Sequence, residues 1–293
     1  MVRASCWLHA AAALGFAADA LAWPWAIGGV AANHAALAVV GLLPRNSLLG
    51  PNLSRLPEEA RRRGEVALTF DDGPDPDVTP RVLDLLEARG ATASFFLIGI
   101  RAARHAALVR EIVRRGHSAE NHTHRHLKGF AALPPGALRR EIAAAQDAIS
   151  DAAGTGAAPR FFRPPAGVRS PLLDPALAAA GLAQTAWTRR GYDTASRDPA
   201  AVARRLGHGL SAGDILLLHD GNAARSRENG APVVLDALPA LLDRIAAAGL
   251  RAVSLPGAMP VAAAAPGPAA AVGAGAGPEA AAERPARASC ACR

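Results

Sequence analysis

At 293 residues, 51% of them hydrophobic, the chain is long enough to bury one large core and still carry appendages. A formal charge of +7 would suit an anionic partner, but the arginines are scattered along helical stretches and aromatic residues make up only 4%, which argues against a nucleic-acid surface. The three cysteines, Cys6, Cys290 and Cys292, lie in the terminal segments, so neither a disulfide framework nor a thiolate metal site is expected for the central region.

From Ser5 to about Leu43 the sequence is almost wholly apolar, with no Lys or Arg between Arg3 and Arg45. Broken at Pro24, it gives two runs a little short of the roughly 20 residues that span a bilayer, with Trp23 and Trp25 where a membrane interface would put aromatic rings. Residues 1–43 are therefore expected to be a membrane anchor, a hairpin of transmembrane helices with both ends cytoplasmic. The location implied is membrane-associated, at the inner membrane or cell envelope. A cleaved secretory signal ending near Ala20-Leu21-Ala22 and a buried helix pair are the alternatives. Residues 44–64, punctuated by Pro and Gly and ending in Arg61-Arg62-Arg63, read as a linker.

The run Glu65–Phe70 has the apolar character of a buried strand and delivers Asp71-Asp72-Gly73-Pro74 at its carboxyl end. Helical and strand patterns then alternate. Helices are expected over Thr79–Arg89, Ala102–Arg115, Pro134–Ala153, Leu173–Ala180, Ala200–Leu210 and Val233–Ala248. Strands are expected over Thr92–Ile98, His117–Glu120, Phe161–Arg163, Leu182–Thr188, Asp214–Leu218 and Arg251–Ser254. Such alternation predicts an α/β unit over residues 65–256, an incomplete (β/α) barrel of about seven parallel strands behind an N-terminal apolar helical segment. Residues 257–293 are Ala, Gly and Pro without a period and are expected to be disordered.

Four strand ends carry the chemistry. Asp71 and Asp72 are adjacent, so one can bind a metal while the other handles a proton; an Asx-type turn is the plain structural alternative. In Asn121-His122-Thr123-His124-Arg125-His126, His122 and His126 are four apart and would share one face of a helical turn, leaving His124 to point elsewhere, toward solvent. Two histidines and one carboxylate make an open site for a catalytic divalent cation. Arg163, before Pro164-Pro165-Ala166-Gly167, is placed to hold a carboxylate ionised, and the turn leaves the Ala166 N–H free for an oxyanion. His219, at the end of Leu216-Leu217-Leu218, suits a proton donor to a leaving amine.

Thr69-Phe70-Asp71-Asp72-Gly73-Pro74, His122-Thr123-His124-Arg125-His126, Arg163-Pro164-Pro165-Ala166-Gly167 and Leu217-Leu218-His219, in this order, resemble the polysaccharide deacetylases, carbohydrate esterase family 4, including the chitooligosaccharide deacetylases. The resemblance covers about residues 65–256. It implies a distorted barrel with one divalent ion, commonly zinc, on Asp72, His122 and His126. It also implies Asp71 as general base, Arg163 as the residue orienting it, and His219 as general acid. Leu217 matches the residue lining the acetyl-methyl pocket, and Ala166 and Trp187 fall at substrate-binding positions. Ala166 stands where the family usually has Tyr. Arg190 and Thr194 replace an acid and a tryptophan, while Asp193 remains and is expected to hold His219 protonated. The implied activity is metal-dependent removal of an N-acetyl group from an amino sugar in a polysaccharide or oligosaccharide. The alternatives are a deacylase of a lipid-linked amino sugar at the membrane and a non-catalytic carbohydrate-binding membrane protein.

Overall fold

In the computed structural model, which describes residues 2–18, 22–154 and 156–259, the chain begins with two helices, α1 (Val2–Ala17) and α2 (Trp23–Gly41). They pair through the few polar groups they own: Asn33 Nδ2 donates to Ser5 Oγ at 2.6 Å, and the His9 and His34 rings meet edge to face at 5.0 Å. The transmembrane expectation is corrected here. Among the described residues no helix is long and apolar enough to cross a membrane. α1 has only 16 residues, and α2, with 19, starts on Trp-Pro-Trp and carries Asn33 and His34 within it. The hairpin nevertheless leaves Trp7, Leu14, Phe16, Trp23, Trp25 and Ile27 exposed.

Residues 44–64 do more than link. Leu49 and Leu56 are buried, as is Ala60 of the short helix α3 (Glu58–Arg62), so this stretch belongs to the folded unit. The sheet begins with β1 (Glu65–Gly73), buried along its whole length, as a strand covered on both faces must be. There follow α4 (Thr79–Glu87), β2 (Ser94–Leu97), α5 (Gly99–Arg104), α6 (Ala106–Arg114), β3 (Ser118–Asn121), α7 (Pro135–Ala153), β4 (Phe161–Phe162), α8 (Leu173–Ala179), β5 (Ala183–Gln184) and β6 (Arg189–Arg190). The unit ends with α9 (Pro199–Gly207), β7 (Ile215–His219), α10 (Val233–Ala247), β8 (Arg251–Val253) and α11 (Leu255–Ala258). The predicted helix Ala102–Arg115 is broken at His105 into α5 and α6. Residues 260–293, most of the tail expected to be disordered, lie outside the described residues.

Every strand pairing is parallel, in the order β5-β4-β3-β2-β1-β7-β6, with β8 on the first residues of β1. The α/β barrel expectation therefore holds, with one difference. The strand expected over Leu182–Thr188 is cut down to β5 at its start, and the next strand, β6, begins only at Arg189, on the opposite edge of the sheet. Seven strands laid flat would put those edges about 29 Å apart at ~4.8 Å per strand. The five peptide steps from Gln184 to Arg189 reach at most about 18 Å. The sheet must therefore curl into an incomplete barrel. Leu53 holds the crossing segment at mid-span, donating its N–H to Gln184 O and accepting from Ala186 N–H, both at 2.9 Å.

Period-2 alternation along β1 divides the core. Val66, Leu68 and Phe70 face the helical layer, where Phe70 stacks on Phe95 at 5.0 Å. Ala67 faces the barrel interior with Phe96, Ile215, Leu217 and Trp187. Each fully buried side chain of this size contributes about 1.5–3 kcal/mol, so the strand is fixed on both faces and the residues at its end inherit that rigidity.

Candidate active site

Asp71 continues the inward-facing set of β1, and strict alternation would send Asp72 outward. The register with β2 slips between Asp71 and Gly73, and Asp72 takes φ 70°, so a bulge re-aims its side chain. Both carboxylates consequently line one cleft of about 250 Å³, together with His122, His126, Ala166, Trp187, Leu217 and His219. Gly221 makes the approach possible, because a Cβ there would lie 2.3 Å from the Asp72 carbonyl oxygen.

His122 and His126 also converge, though not by the expected helical turn. The segment after β3 is irregular, and Thr123 (φ 66°) and His126 (φ 52°) reverse it twice. His124 turns away as anticipated, but onto α5 and not into solvent; its Nδ1 is buried, 2.6 Å from where a Cβ on Gly99 would lie. His122 Nε2 lies 3.3 Å and His126 Nε2 3.1 Å from Asp72 Oδ1. The Nδ1 of His122 is 2.7 Å from the Arg163 carbonyl, which can only accept, so Nδ1 carries the proton and Nε2 presents its lone pair to the cleft.

Two supporting pairs stand behind the cleft. Arg163, fully buried, donates from one terminal nitrogen to Asp71 Oδ1 at 2.6 Å and to Thr69 Oγ1 at 3.0 Å. Its other donors reach the Thr185 and Ala186 carbonyls, and its guanidinium lies 4.0 Å from the Phe96 ring centroid. Asp71 is thus gripped in one orientation as an anion. On the opposite wall, Asp193 accepts from both His219 Nδ1, at 2.9 Å, and His219 N–H, at 2.7 Å. Burial lowers the pKa of His219, but the Asp193 carboxylate overrides it and the net direction is upward.

Asp72, His122 and His126 offer ligand atoms that all lie within 4.8 Å of one another. Asp72 Oδ1 is buried and has no hydrogen-bond donor, a costly state that a cation would relieve. One carboxylate and two imidazoles with room beside them fit a catalytic divalent ion.

A sequence profile of the polysaccharide deacetylases matches residues 58–185. The chain is 32% identical to a peptidoglycan-N-acetylglucosamine deacetylase of Bacillus cereus over 65% of its own length and 85% of that protein. It is 33% identical to a chitooligosaccharide deacetylase of Sinorhizobium fredii over 66% and 92% of the two chains. The chain belongs to the polysaccharide deacetylase family, carbohydrate esterase family 4. The structure of a family 4 carbohydrate esterase from Streptomyces lividans in complex with acetate superposes with a TM-score of 0.58 at 31% identity, covering 64% of this chain and 91% of that one. As a polysaccharide deacetylase the protein is a hydrolase of carbon–nitrogen bonds other than peptide bonds.

Sequence reasoning missed two residues of this deacetylase cleft. Asn222 Nδ2 donates to Asp72 Oδ2 at 3.1 Å, leaving Oδ1 for a cation. Arg101 donates to the Asp72 carbonyl at 2.8 Å and to Asn222 Oδ1 at 3.1 Å. Gly221-Asn222 directly after the His219 strand was a signal for the left-handed turn observed there, with Asn222 at φ 58°. Nothing in the local sequence marks Arg101.

Proposed function

We propose that this chain removes the N-acetyl group from N-acetylglucosamine units of a polysaccharide, using a zinc ion held by Asp72, His122 and His126. The observation that carries the reading is one cleft in which Asp72, with its Oδ1 lacking a donor, and two imidazoles are flanked by a carboxylate tied to Arg163 and an imidazole tied to Asp193. When bound, such an ion acidifies a water and polarises the acyl oxygen. Asp71, kept ionised by Arg163, accepts the proton of the attacking water. The N–H of Ala166, at a left-handed turn on the cleft wall (φ 55°), donates to the acyl oxygen as it gains negative charge. Leu217 packs on the acetyl methyl, and His219 delivers a proton to the amine nitrogen as the carbon–nitrogen bond breaks.

The test is acetate release by the zinc-loaded full chain. Tetra-N-acetylchitotetraose is expected to yield acetate, and no release from any N-acetylglucosamine oligomer or polymer would refute the reading. The exposed apolar hairpin favours a second substrate source, an amino sugar linked to a polyprenyl carrier, with α1 and α2 lying against a membrane surface. The same assay with lipid vesicles separates the two. Cosedimentation with the vesicles and faster turnover of the lipid-linked sugar support the membrane location; a protein left in the supernatant argues against it.

The Asp193–His219 pair makes a pH prediction. Because Asp193 raises the His219 pKa, the donor stays protonated above the ordinary imidazole range, and the alkaline limb of kcat lies correspondingly high. Asp193→Asn removes the largest upward influence and leaves burial opposed only by the more distant Asp71 and Asp72, so the limb moves to lower pH. An unchanged limb in that variant would dissociate Asp193 from the proton donor.

A further inference from the structure

Beside the catalytic cleft, along the outer edge of β6, lies a second depression of about 730 Å³ walled mostly by arginines. Arg189 and Arg190 come from β6, Arg204 and Arg205 from the last turn of α9, His208 from just beyond it, and Arg244 from the last turn of α10. No aspartate or glutamate lines it. Part of the charge is offset inside the fold: Arg189 Nε donates to the buried Asp214 at 2.6 Å, and Arg204 lies 3.9 Å from Asp198. Arg190, Arg205 and Arg244 pair with no carboxylate among the described residues.

Arg190 lines both this depression and the cleft, so the two are neighbours. Its guanidinium is 5.6 Å from the Trp187 ring and 5.2 Å from that of Tyr192, and its Nε is buried without a partner. Tyr192, the one tyrosine of the chain, is 54% exposed and held at φ 58°. Arg244 is accommodated by Gly207, where a Cβ would come within 2.7 Å of its Cδ. An exposed aromatic ring beside uncompensated guanidinium groups offers a sugar a flat apolar face and an oxyanion a set of planar donors.

We propose that this depression receives an acidic group of the glycan, a carboxylate or a phosphate on a unit next to the one being deacetylated, so that the enzyme prefers an anionic glycan to a neutral one. The inference rests on the deacetylase reading above and adds the substrate's charge to it. Arg205 and Arg244 hold the oxyanion, and Arg190 bridges it to the catalytic cleft.

Calorimetric binding of the full chain to three probes tests this without requiring turnover. The probes are tetra-N-acetylchitotetraose, a tetrasaccharide alternating N-acetylglucosamine with glucuronic acid, and the chitotetraose bearing a reducing-end phosphate. At low salt at least one acidic probe is expected to bind roughly fivefold more tightly than the neutral one, and the advantage shrinks in high salt. The tighter of the two acidic probes identifies carboxylate or phosphate. The double variant Arg205→Ala/Arg244→Ala, altered at two exposed positions, abolishes the advantage and leaves neutral binding as it was. Equal affinities for all three probes, no binding of either acidic probe, or an advantage that survives the double variant overturns the proposal. Any of these leaves the deacetylase reading standing, since that reading fails separately, on acetate release.

Discussion

Asp71→Asn is expected to lower kcat/KM for acetate release by about 10²–10⁴-fold while the protein keeps its metal, because general-base catalysis of this kind contributes typically that much. Asparagine preserves the shape at the end of β1 and can still accept from Arg163, but it cannot take a proton from water. Arg163 is fully buried and Asp71 is its only carboxylate among the described residues, at 2.6 Å. Removing that charge leaves a buried cation uncompensated, and such losses cost about 3–5 kcal/mol. The variant should therefore also melt at a lower temperature. Retained metal with lost turnover separates the base from the ligands. Near-normal turnover would remove Asp71 from the role of base.

His122→Ala and His126→Ala are expected to lose both bound metal and activity, the latter by several orders of magnitude, with elemental analysis of the purified protein as the readout. The two variants control for each other. His122 is buried and its Nδ1 is bonded to the Arg163 carbonyl, so its loss also loosens the wall that holds Asp71. His126 is only half-buried, and its removal tests coordination with little change in packing. Stoichiometric zinc in either variant would mean that the imidazoles serve something other than the cation.

What the sequence makes legible is the end of each buried strand. β1 and β7 announce themselves as apolar runs, and Asp71, Asp72 and His219 follow directly from where those runs stop. Arg163 and the histidine pair are legible as residue types, but the local backbone that joins them is not. The i, i+4 spacing of His122 and His126 suggests a helix, whereas two left-handed residues in a loop bring the rings together. The outward-to-inward turn of Asp72 depends on a bulge set by cross-strand register, which no window of sequence contains. The same holds for Leu182–Thr188, which has the composition of one strand but keeps only its first residues in the sheet because Leu53 and Arg163 claim its middle. Arg101 reaches the site from a helix 29 residues after Asp72 and is visible only once the chain has folded.

The most direct test is an anomalous-scattering map from crystals of the full chain grown with zinc. One strong peak is expected at about 2.0–2.2 Å from Asp72 Oδ1 and from the Nε2 atoms of His122 and His126. A peak bound elsewhere, or one that leaves Asp72 out of the coordination sphere, would contradict a hydrolase built around these three side chains.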